Sequence, residues 1–321
     1  MEIDLSSAEE TDFTPFERPI FNVLKATLQY PGNQQAKIEK LADDIIFFCK
    51  SSSHGSGILW HVWSVVIEII FYIPPGHPWQ DCFIQCLSSL RQRDDTISSY
   101  DQPSTQTDLP WEDLPNLSYC VREKWLDPTD AEEELDEEFT KWKNFNSFVA
   151  RVTSTGFAPW LSFPIWQLRT ALEEPPVKGS AMDCRLWVAS EWIIHCADII
   201  FEDISSLKDL DEGLARSLSA GPLYDGKALL GAERWKFWKR RFSELNADSG
   251  KLELDNAVSN RILEALERMD KIEIGQLETS NETEARQEGS ASASSSSHLN
   301  TRQLLLLDKS VYEKAFTKTL T

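Results

Sequence analysis

The stretch that decides the fold runs from Met182 to Asp203 and reads M-D-C-R-L-W-V-A-S-E-W-I-I-H-C-A-D-I-I-F-E-D. On a helix, its apolar side chains cover most of the circumference. They leave one narrow polar stripe, which consists of Glu191, His195, Asp198 and Glu202. A surface helix shows the opposite pattern, an apolar stripe on a polar cylinder. The stretch therefore predicts a core helix with neighbours on nearly every side.

Length and composition predict a folded, acidic protein. The chain has 321 residues, of which 41% are hydrophobic, and this share is ample for a packed core. Its formal net charge of -20 repels phosphate backbones and anionic membranes, so no nucleic-acid partner is expected. The longest apolar run, Ile58 to Ile73, is shorter than the roughly 20 residues of a membrane span and contains His61 and Glu68. It predicts a second buried helix and no membrane span.

The first residues and the cysteines indicate the compartment. Residues 1–12 are acidic and lack the basic and apolar regions of a secretory signal, which predicts a cytoplasmic protein and leaves a nuclear location open. The six cysteines are then expected to be reduced, buried thiols. Cys82 and Cys86 lie one helical turn apart, but zinc normally takes four ligands and no further two are evident. We predict no metal and no cofactor.

Helical periods separated by Pro and Gly breakers fill most of the chain. The predicted class is all-α, an irregular bundle or stack of nine to eleven helices without an alternating strand. The segment from Ser98 to Asn116 has no period and is expected to be an irregular surface loop. The predicted organisation has four parts: a flexible acidic N-terminus (1–15), one helical domain (16–274), a disordered Ser/Ala-rich linker (275–303) and a short terminal helix (304–321).

Two polar stripes are the candidates for chemistry. The first is the core-helix stripe of Glu191, His195, Asp198 and Glu202, and the second comprises His61, Ser64 and Glu68. If the stripes faced each other, carboxylates and imidazoles would converge as they do in helical bundles that bind metals or transfer protons. If each stripe is the solvent edge of a buried helix, they carry no chemistry. Because no catalytic sequence motif is present, the six titratable residues are candidates only and no catalytic residue is assigned.

A basic cluster from Arg234 to Arg241 alternates with aromatic residues. It resembles a nucleic-acid patch, but its tryptophans fall at core spacing and the chain is acidic overall. We predict instead that this basic face meets the acidic run from Glu132 to Glu138 within the fold.

Several motifs together resemble a known family. They are W-K-N-F-N-S-F-V-A-R-V (142–152), I-W-Q-L-R-T-A-L-E (165–173), E-R-W-K-F-W-K-R-R-F (233–242), P-P-G-H-P-W-Q (74–80) and W-E-D-L-P (111–115). In this fixed order they are similar to the fungal family of unknown function DUF3632, over roughly Leu24 to Leu245. The resemblance implies a helical, intracellular fungal protein. It implies no established activity and no catalytic residues.

Two functions from different classes follow. The first is a non-enzymatic protein-interaction or scaffold module, which would bind a protein partner through grooves between helices or through the terminal segment Leu304 to Leu307. The alternative is an enzyme or accessory factor that handles a small hydrophobic ligand, for example in fungal secondary metabolism. It is suggested by the aromatic interior with its His and carboxylate side chains.

Overall fold

α-Helices form the body of the protein, which confirms the all-α class. The computed structural model describes residues 3–51, 57–93, 96–99, 107–131, 136–157, 160–206, 212–227 and 229–289; for 96, 98, 99, 107, 108 and 276–289 it describes the backbone alone. Nine helices of eleven or more residues lie in this part of the chain: α2 (Glu17–Gln29), α3 (Gln34–Ser51), α4 (Ile58–Phe71), α5 (Pro78–Arg91), α7 (Asp136–Ser154), α8 (Ser162–Leu172), α9 (Gly179–Ser206), α11 (Ala232–Ala247) and α13 (Asn256–Gly289). Four are shorter: α1 (Ser6–Glu9), α6 (Leu117–Glu123), α10 (Glu212–Ser217) and α12 (Ser249–Leu252).

Helix α9 is the predicted core helix, and its burial is confirmed. It packs against α7 on one side and α8 on another, and it also contacts α11. Trp192, at its middle, is fully buried and donates its indole N–H to the Oδ1 of Asn146 on α7 at 3.0 Å. One turn later the thiol of Cys196 donates to the carbonyl of Ala150 at 3.1 Å. Helices α7 and α9 thus share polar contacts as well as apolar packing.

Helix α7 separates α9 from the N-terminal helices. It packs on α4, which in turn contacts α2 and α6, and α3 packs against α5. The apolar run beginning at Ile58 is therefore a second buried helix, as predicted. Helix α5 begins where the sequence places a start signal: the imidazole of His77 accepts the backbone N–H of Trp79 at 3.2 Å and Pro78 is the first helical residue. Among the described helices, none combines the length and the apolar character that crossing a membrane requires.

The segment predicted as an irregular loop contains a short β-hairpin. Strands β1 (Thr96–Ser99) and β2 (Thr107–Pro110) pair antiparallel, with Thr96 opposite Pro110. Four residues are too few to establish an alternating pattern, so these strands could not be predicted from hydrophobic period. The following residues Trp111 and Leu114 are buried, so the hairpin is held against the helices.

The two ends of the chain differ from the sequence-based expectation. The acidic N-terminus forms α1, and Leu5 and Ala8 are buried in the core. The helical domain was expected to end at residue 274, but the backbone of α13 is helical to Gly289. The chain divides into two compact units, Met1–Glu273 and Ile274–Thr321. The four-part organisation stays a prediction, because the terminal helix (304–321) and most of the Ser-rich linker lie outside the described residues.

Candidate functional site

The core-helix stripe contains one buried carboxylate. Glu191 is only 1% exposed, and three elements supply its partners. From α7, the hydroxyl of Ser147 donates to Oε1 at 2.6 Å; from α9 itself, the Nε2 of His195 lies 3.1 Å from the same oxygen; from α13, the guanidinium of Arg261 pairs with Oε2. We call these four residues the Glu191 cluster. Its negative charge is balanced by one cation and two hydrogen bonds within the fold.

The surroundings of His195 favour the neutral form of its imidazole. Burial lowers the pKa of His195 below its ordinary value of 6.5, and the positive charge of Arg151 lowers it further. Glu264 acts in the opposite direction with a smaller effect. Because Nε2 faces a carboxylate oxygen, the proton of the neutral ring lies on that nitrogen. The pair is chemically able to exchange a proton, and its use in catalysis would require room for a substrate beside it.

Two cavities in the described structure could offer room for a substrate. One, lined by Trp160, Leu161 and Cys196 among others, holds about 10 Å³, which is the size of a single water. The other is an open groove of about 230 Å³ beside Lys37 and Trp79. Ligand pockets commonly measure about 300–1,000 Å³, so even the larger groove is small. Neither cavity is lined by any of the six candidate residues.

The remaining residues of the core-helix stripe lie toward the surface. Asp198 is exposed, and its carboxylate is 3.8 Å from the guanidinium of Arg268 on α13. Glu202 is exposed one turn further along α9. The stripe therefore runs from a buried, fully paired end at Glu191 to an exposed end. Its exposed half fits the interpretation of a solvent edge.

The second stripe has different partners, from the N-terminal segment. On α4, the Nδ1 of His61 lies 3.2 Å from Glu17, and Glu68 accepts a hydrogen bond from the hydroxyl of Thr11 at 3.2 Å. The ring of Phe16 stacks on His61 with centroids 5.7 Å apart. The two stripes thus belong to separate clusters, and α7 packs against the helices of both. Their contacts do not support a shared catalytic or metal-binding pocket.

The most deeply buried ion pair was missed by the sequence analysis. Glu173, at the end of α8, and Arg234, on α11, are both 0% exposed and meet through two hydrogen bonds of 2.6 and 3.0 Å. The carboxylate also accepts the indole N–H of Trp238 at 2.6 Å and the backbone N–H of Gly221 at 2.6 Å. Arg234 donates further to the carbonyl of Leu218 at 2.8 Å. This Glu173 hub joins α8 and α11 to the loop between α10 and α11, and both of its charged side chains are fully buried.

The basic cluster on α11 does not meet the acidic run, so that prediction is wrong for its described residues. The guanidinium of Arg234 is paired with Glu173 inside the Glu173 hub. Lys239 pairs with Asp270 and Glu273 of α13, each at 2.5 Å. The described part of the acidic run pairs elsewhere, since Glu137 and Glu138 both bind Lys141 on their own helix. Residues 132–135 lie outside the description.

The six cysteines are free and buried, which agrees with the predicted burial of the thiols. Burial raises the pKa of Cys49 to about 12 and that of Cys120 to about 12. It also raises the pKa of Cys82 and of Cys86. Thiols held in the protonated form are poor nucleophiles and poor metal ligands. Within the described residues, no group of three or more His, Cys, Asp or Glu side chains is placed to hold a metal ion.

The comparisons with known proteins decide the family. The family described as "Protein of unknown function (DUF3632)" matches residues 63–242, which is more than half of the chain. The protein belongs to this family. The match starts later than the resemblance from Leu24 suggested, so α2, α3 and α13 lie outside it, whereas the Glu173 hub and residues Ser147, Glu191 and His195 lie inside it. No curated protein and no solved structure matches the chain significantly.

Two of the four residues of the Glu191 cluster were candidates from the sequence, and two were not. Glu191 and His195 were visible because they interrupt an apolar helix. Ser147 carried a weaker signal, since it follows Asn144 and Asn146 in a motif whose helix is otherwise apolar on that side. All three of these polar residues of α7 are buried. Arg261 had no local signal, because it sits on an ordinary amphipathic helix 70 positions away from Glu191.

Proposed function

We propose that this DUF3632 protein is a non-enzymatic protein-interaction module. The observation that carries this proposal is that the candidate side chains are bound within the fold. Neighbouring residues contact Glu191, His195, His61 and Glu68. Neither of the two cavities is lined by them. An acid–base site needs a group within hydrogen-bond reach of a bound substrate. Side chains engaged in internal contacts favour a structural role.

A group of exposed aromatic side chains supports binding to another protein. Trp60, at the start of α4, is 40% exposed; Phe16, which stacks on the neighbouring His61, is 55% exposed. Tyr119 on α6 is 39% exposed and precedes Cys120, whose thiol donates to the carbonyl of Trp60 at 3.6 Å. We call Phe16, Trp60 and Tyr119 the aromatic rim. Protein interfaces are enriched in Trp, Tyr and Phe, and large aromatic side chains dominate their binding energy.

The alternative function, an enzyme or accessory factor for a small hydrophobic ligand, loses its main support. It depended on the convergence of the two polar stripes in an apolar pocket. The contacts of Glu191 and His61 instead belong to two clusters, and the nearest alternative, the groove beside Trp79, is small and open. We therefore favour the interaction module. A cytoplasmic location, a fungal source and a role in secondary metabolism stay predictions from the sequence.

Partner capture with matched variants tests the proposal. The native chain, a Phe16→Ser/Trp60→Ser double variant and a Phe47→Ser control would be used as baits in extract from the source cells. Phe47 is a suitable control because it is an aromatic residue 62% exposed on a different helix, α3. We expect one or more proteins to be retained by the native chain and the control and lost by the double variant, with equal melting temperatures. Identical retained sets for all three baits, or none at all, would contradict an interface at the aromatic rim.

A further inference from the structure

Helix α13 lies along α9 and runs in the same direction. Contacts between the two helices occur at three successive levels: Asp255 with Asp183, Arg261 with Glu191, and Arg268 with Asp198. The apolar side of α13 is buried at spacings of four, three and four, with Val258, Ile262, Ala265 and Met269 facing inward. This arrangement is the one in which an amphipathic helix lies in a groove on a folded body. Lys239 of α11 forms the other edge through its pairs with Asp270 and Glu273.

Glu191 makes this groove selective for a cation. Its carboxylate is buried, and the other members of the Glu191 cluster are a hydroxyl from Ser147 and an imidazole whose pKa is lowered. If α13 left the groove without replacement, a buried carboxylate would lose its positive partner, which is strongly unfavourable. A helix that occupies the groove must therefore bring a positive charge to this level.

The same position favours arginine over lysine. The guanidinium carbon of Arg261 lies 5.5 Å from the ring centroid of Trp187 while its Nη2 reaches Glu191. A planar guanidinium can stack on an indole and donate to a carboxylate at the same time, whereas an ammonium is a compact point charge. The groove thus recognises an arginine followed by apolar residues one, four and eight positions later, as Ile262, Ala265 and Met269 follow Arg261.

The fit of α13 in this groove is incomplete. The Nε atoms of Arg261 and Arg268 are both buried and have no hydrogen-bond partner among the described residues. A buried donor without a partner costs free energy that a better-matched helix would not incur. In addition, α9 and most of α11 lie inside the family match, which ends at residue 242, and α13 lies outside it. The unpartnered Nε atoms and the limit of the family match both indicate that α13 is separable from the groove that it fills.

We propose that the surface of α9 and α11 beneath α13 is a helix-binding groove, which α13 occupies in cis, and that its partner is a protein helix carrying an arginine for Glu191. This inference rests on the proposed function of an interaction module; it adds a second surface, separate from the aromatic rim, and names the chemistry of the partner that binds there. Helix α13 then competes with the partner, so the groove is available only when α13 is released.

A peptide-binding assay on the full-length chain tests the groove. The probe is a fluorescein-labelled peptide of residues 255–274, measured by fluorescence anisotropy against the native chain, an Ala265→Asp variant and a Leu263→Asp control. Ala265 is fully buried and Leu263 is 52% exposed, so the same charge is added to the inner and outer sides of α13. We expect the peptide to bind the Ala265→Asp chain at least tenfold more tightly than the native chain or the control. A peptide with Arg261→Gln should bind at least tenfold more weakly.

The proposal is overturned if the Ala265→Asp chain stays folded and does not bind the peptide, or if the Arg261→Gln peptide binds equally well. Should the Ala265→Asp chain fail to fold, hydrogen exchange on the native chain decides the question. Residues 256–273 should then open before α7 and α9, and their opening only together with these helices would overturn the proposal. The peptide assay contains no natural partner. Its failure while partner capture at the aromatic rim succeeds would reject the groove alone, and the reverse result would reject the rim.

Discussion

At the scale of single residues, the Glu173 hub is a pair of opposite charges that are both fully buried. Glu173 and Arg234 are fully buried, so each charge depends on the other. Glu173→Gln leaves the guanidinium of Arg234 without a counter-ion, and we expect a loss of about 3–5 kcal/mol in the free energy of unfolding. Urea denaturation measures this loss. The control is Glu212→Gln, which removes the exposed pair with Arg216 and should leave the unfolding curve unchanged. Equal behaviour of the two variants would show that the hub is not held by charge.

Gly221 is confined by the same hub. A Cβ at this position would lie 2.7 Å from both the Cβ and the carbonyl oxygen of Glu173, and backbone atoms there cannot yield without moving the end of α8. We expect Gly221→Ala to lower the free energy of unfolding by about 1–3 kcal/mol. Gly250→Ala is the matched control, because nothing lies within 4 Å of its Cβ position and it is helical. That change should stabilise by about 0.4–1 kcal/mol, since alanine restricts the unfolded chain. Thermal and urea denaturation of both variants provide the test.

His195 should make stability depend on pH. The pKa of its imidazole is lowered in the folded protein, mainly by burial and then by Arg151. The unfolded chain therefore binds a proton at higher pH than the folded chain does. Its contribution to stability is complete above about pH 6.5 and is lost as the pH falls below that value. The charged groups that face the imidazole are Glu191, Arg261 and Glu264, and all three are present in both the native chain and the His195→Gln variant. We expect His195→Gln to flatten the fall in the free energy of unfolding below pH 6.5. An unchanged slope would contradict this assignment.

The residue scale also shows the limit of sequence-based prediction. Glu191 and His195 were identifiable as candidates because a polar residue in an apolar helix breaks a local pattern. Arg234 was assigned to an exposed basic face because its neighbours in the sequence are Lys and Arg. Its buried role depends on Glu173, which is 61 positions away and belongs to another helix. No local period encodes such a pair, so the buried hub could be recognised only from the fold.

At the scale of elements, the helices were predictable and their partners were not. The predicted start of α4 at Ile58 agrees with the structure, because an apolar run and the breakers that flank it are local signals. The four-residue strands left no such signal. Burial of Leu5 and Ala8 in α1 was also missed, since the acidic composition around them suggested a solvated tail. Elements too short to show a period are held by tertiary contacts instead.

The two sides of α13 give the prediction at this scale. Ile262 is fully buried against the body, and the next residue, Leu263, is 52% exposed. Truncating a buried aliphatic side chain removes transfer free energy and leaves a cavity, so we expect Ile262→Ala to cost about 2–5 kcal/mol. Leu263→Ala should change the free energy of unfolding by less than about 0.5 kcal/mol. Urea titrations with both variants measure the difference. Similar losses of unfolding free energy in both variants would mean that the side of α13 with Ile262 does not pack against the body of the protein.

At the scale of the whole molecule, the family match and the folded body have different limits. The match covers residues 63–242, but the core also contains Phe21 and Leu24 from α2, Ile45 from α3 and Met269 from α13. An ion pair also joins the two sides of the family limit, because Arg261 lies outside the match and its partner Glu191 lies inside it. A segment cut at the family limits would expose the apolar surfaces that these helices cover. It would also leave a buried carboxylate without its cation.

Two fragments test this consequence. We expect residues 63–242 alone to lack a cooperative thermal transition and to aggregate, because exposed core surface and an uncompensated buried charge both oppose folding. Residues 1–275, which retain α2, α3 and the described side chains of α13, should melt cooperatively at a temperature close to that of the full chain. Circular dichroism melts and sedimentation velocity on both fragments, at equal concentration, give the comparison. A cooperative, monomeric transition of the 63–242 fragment near the full-length melting temperature would mean that the outer helices are accessories, and that Glu191 tolerates the loss of Arg261.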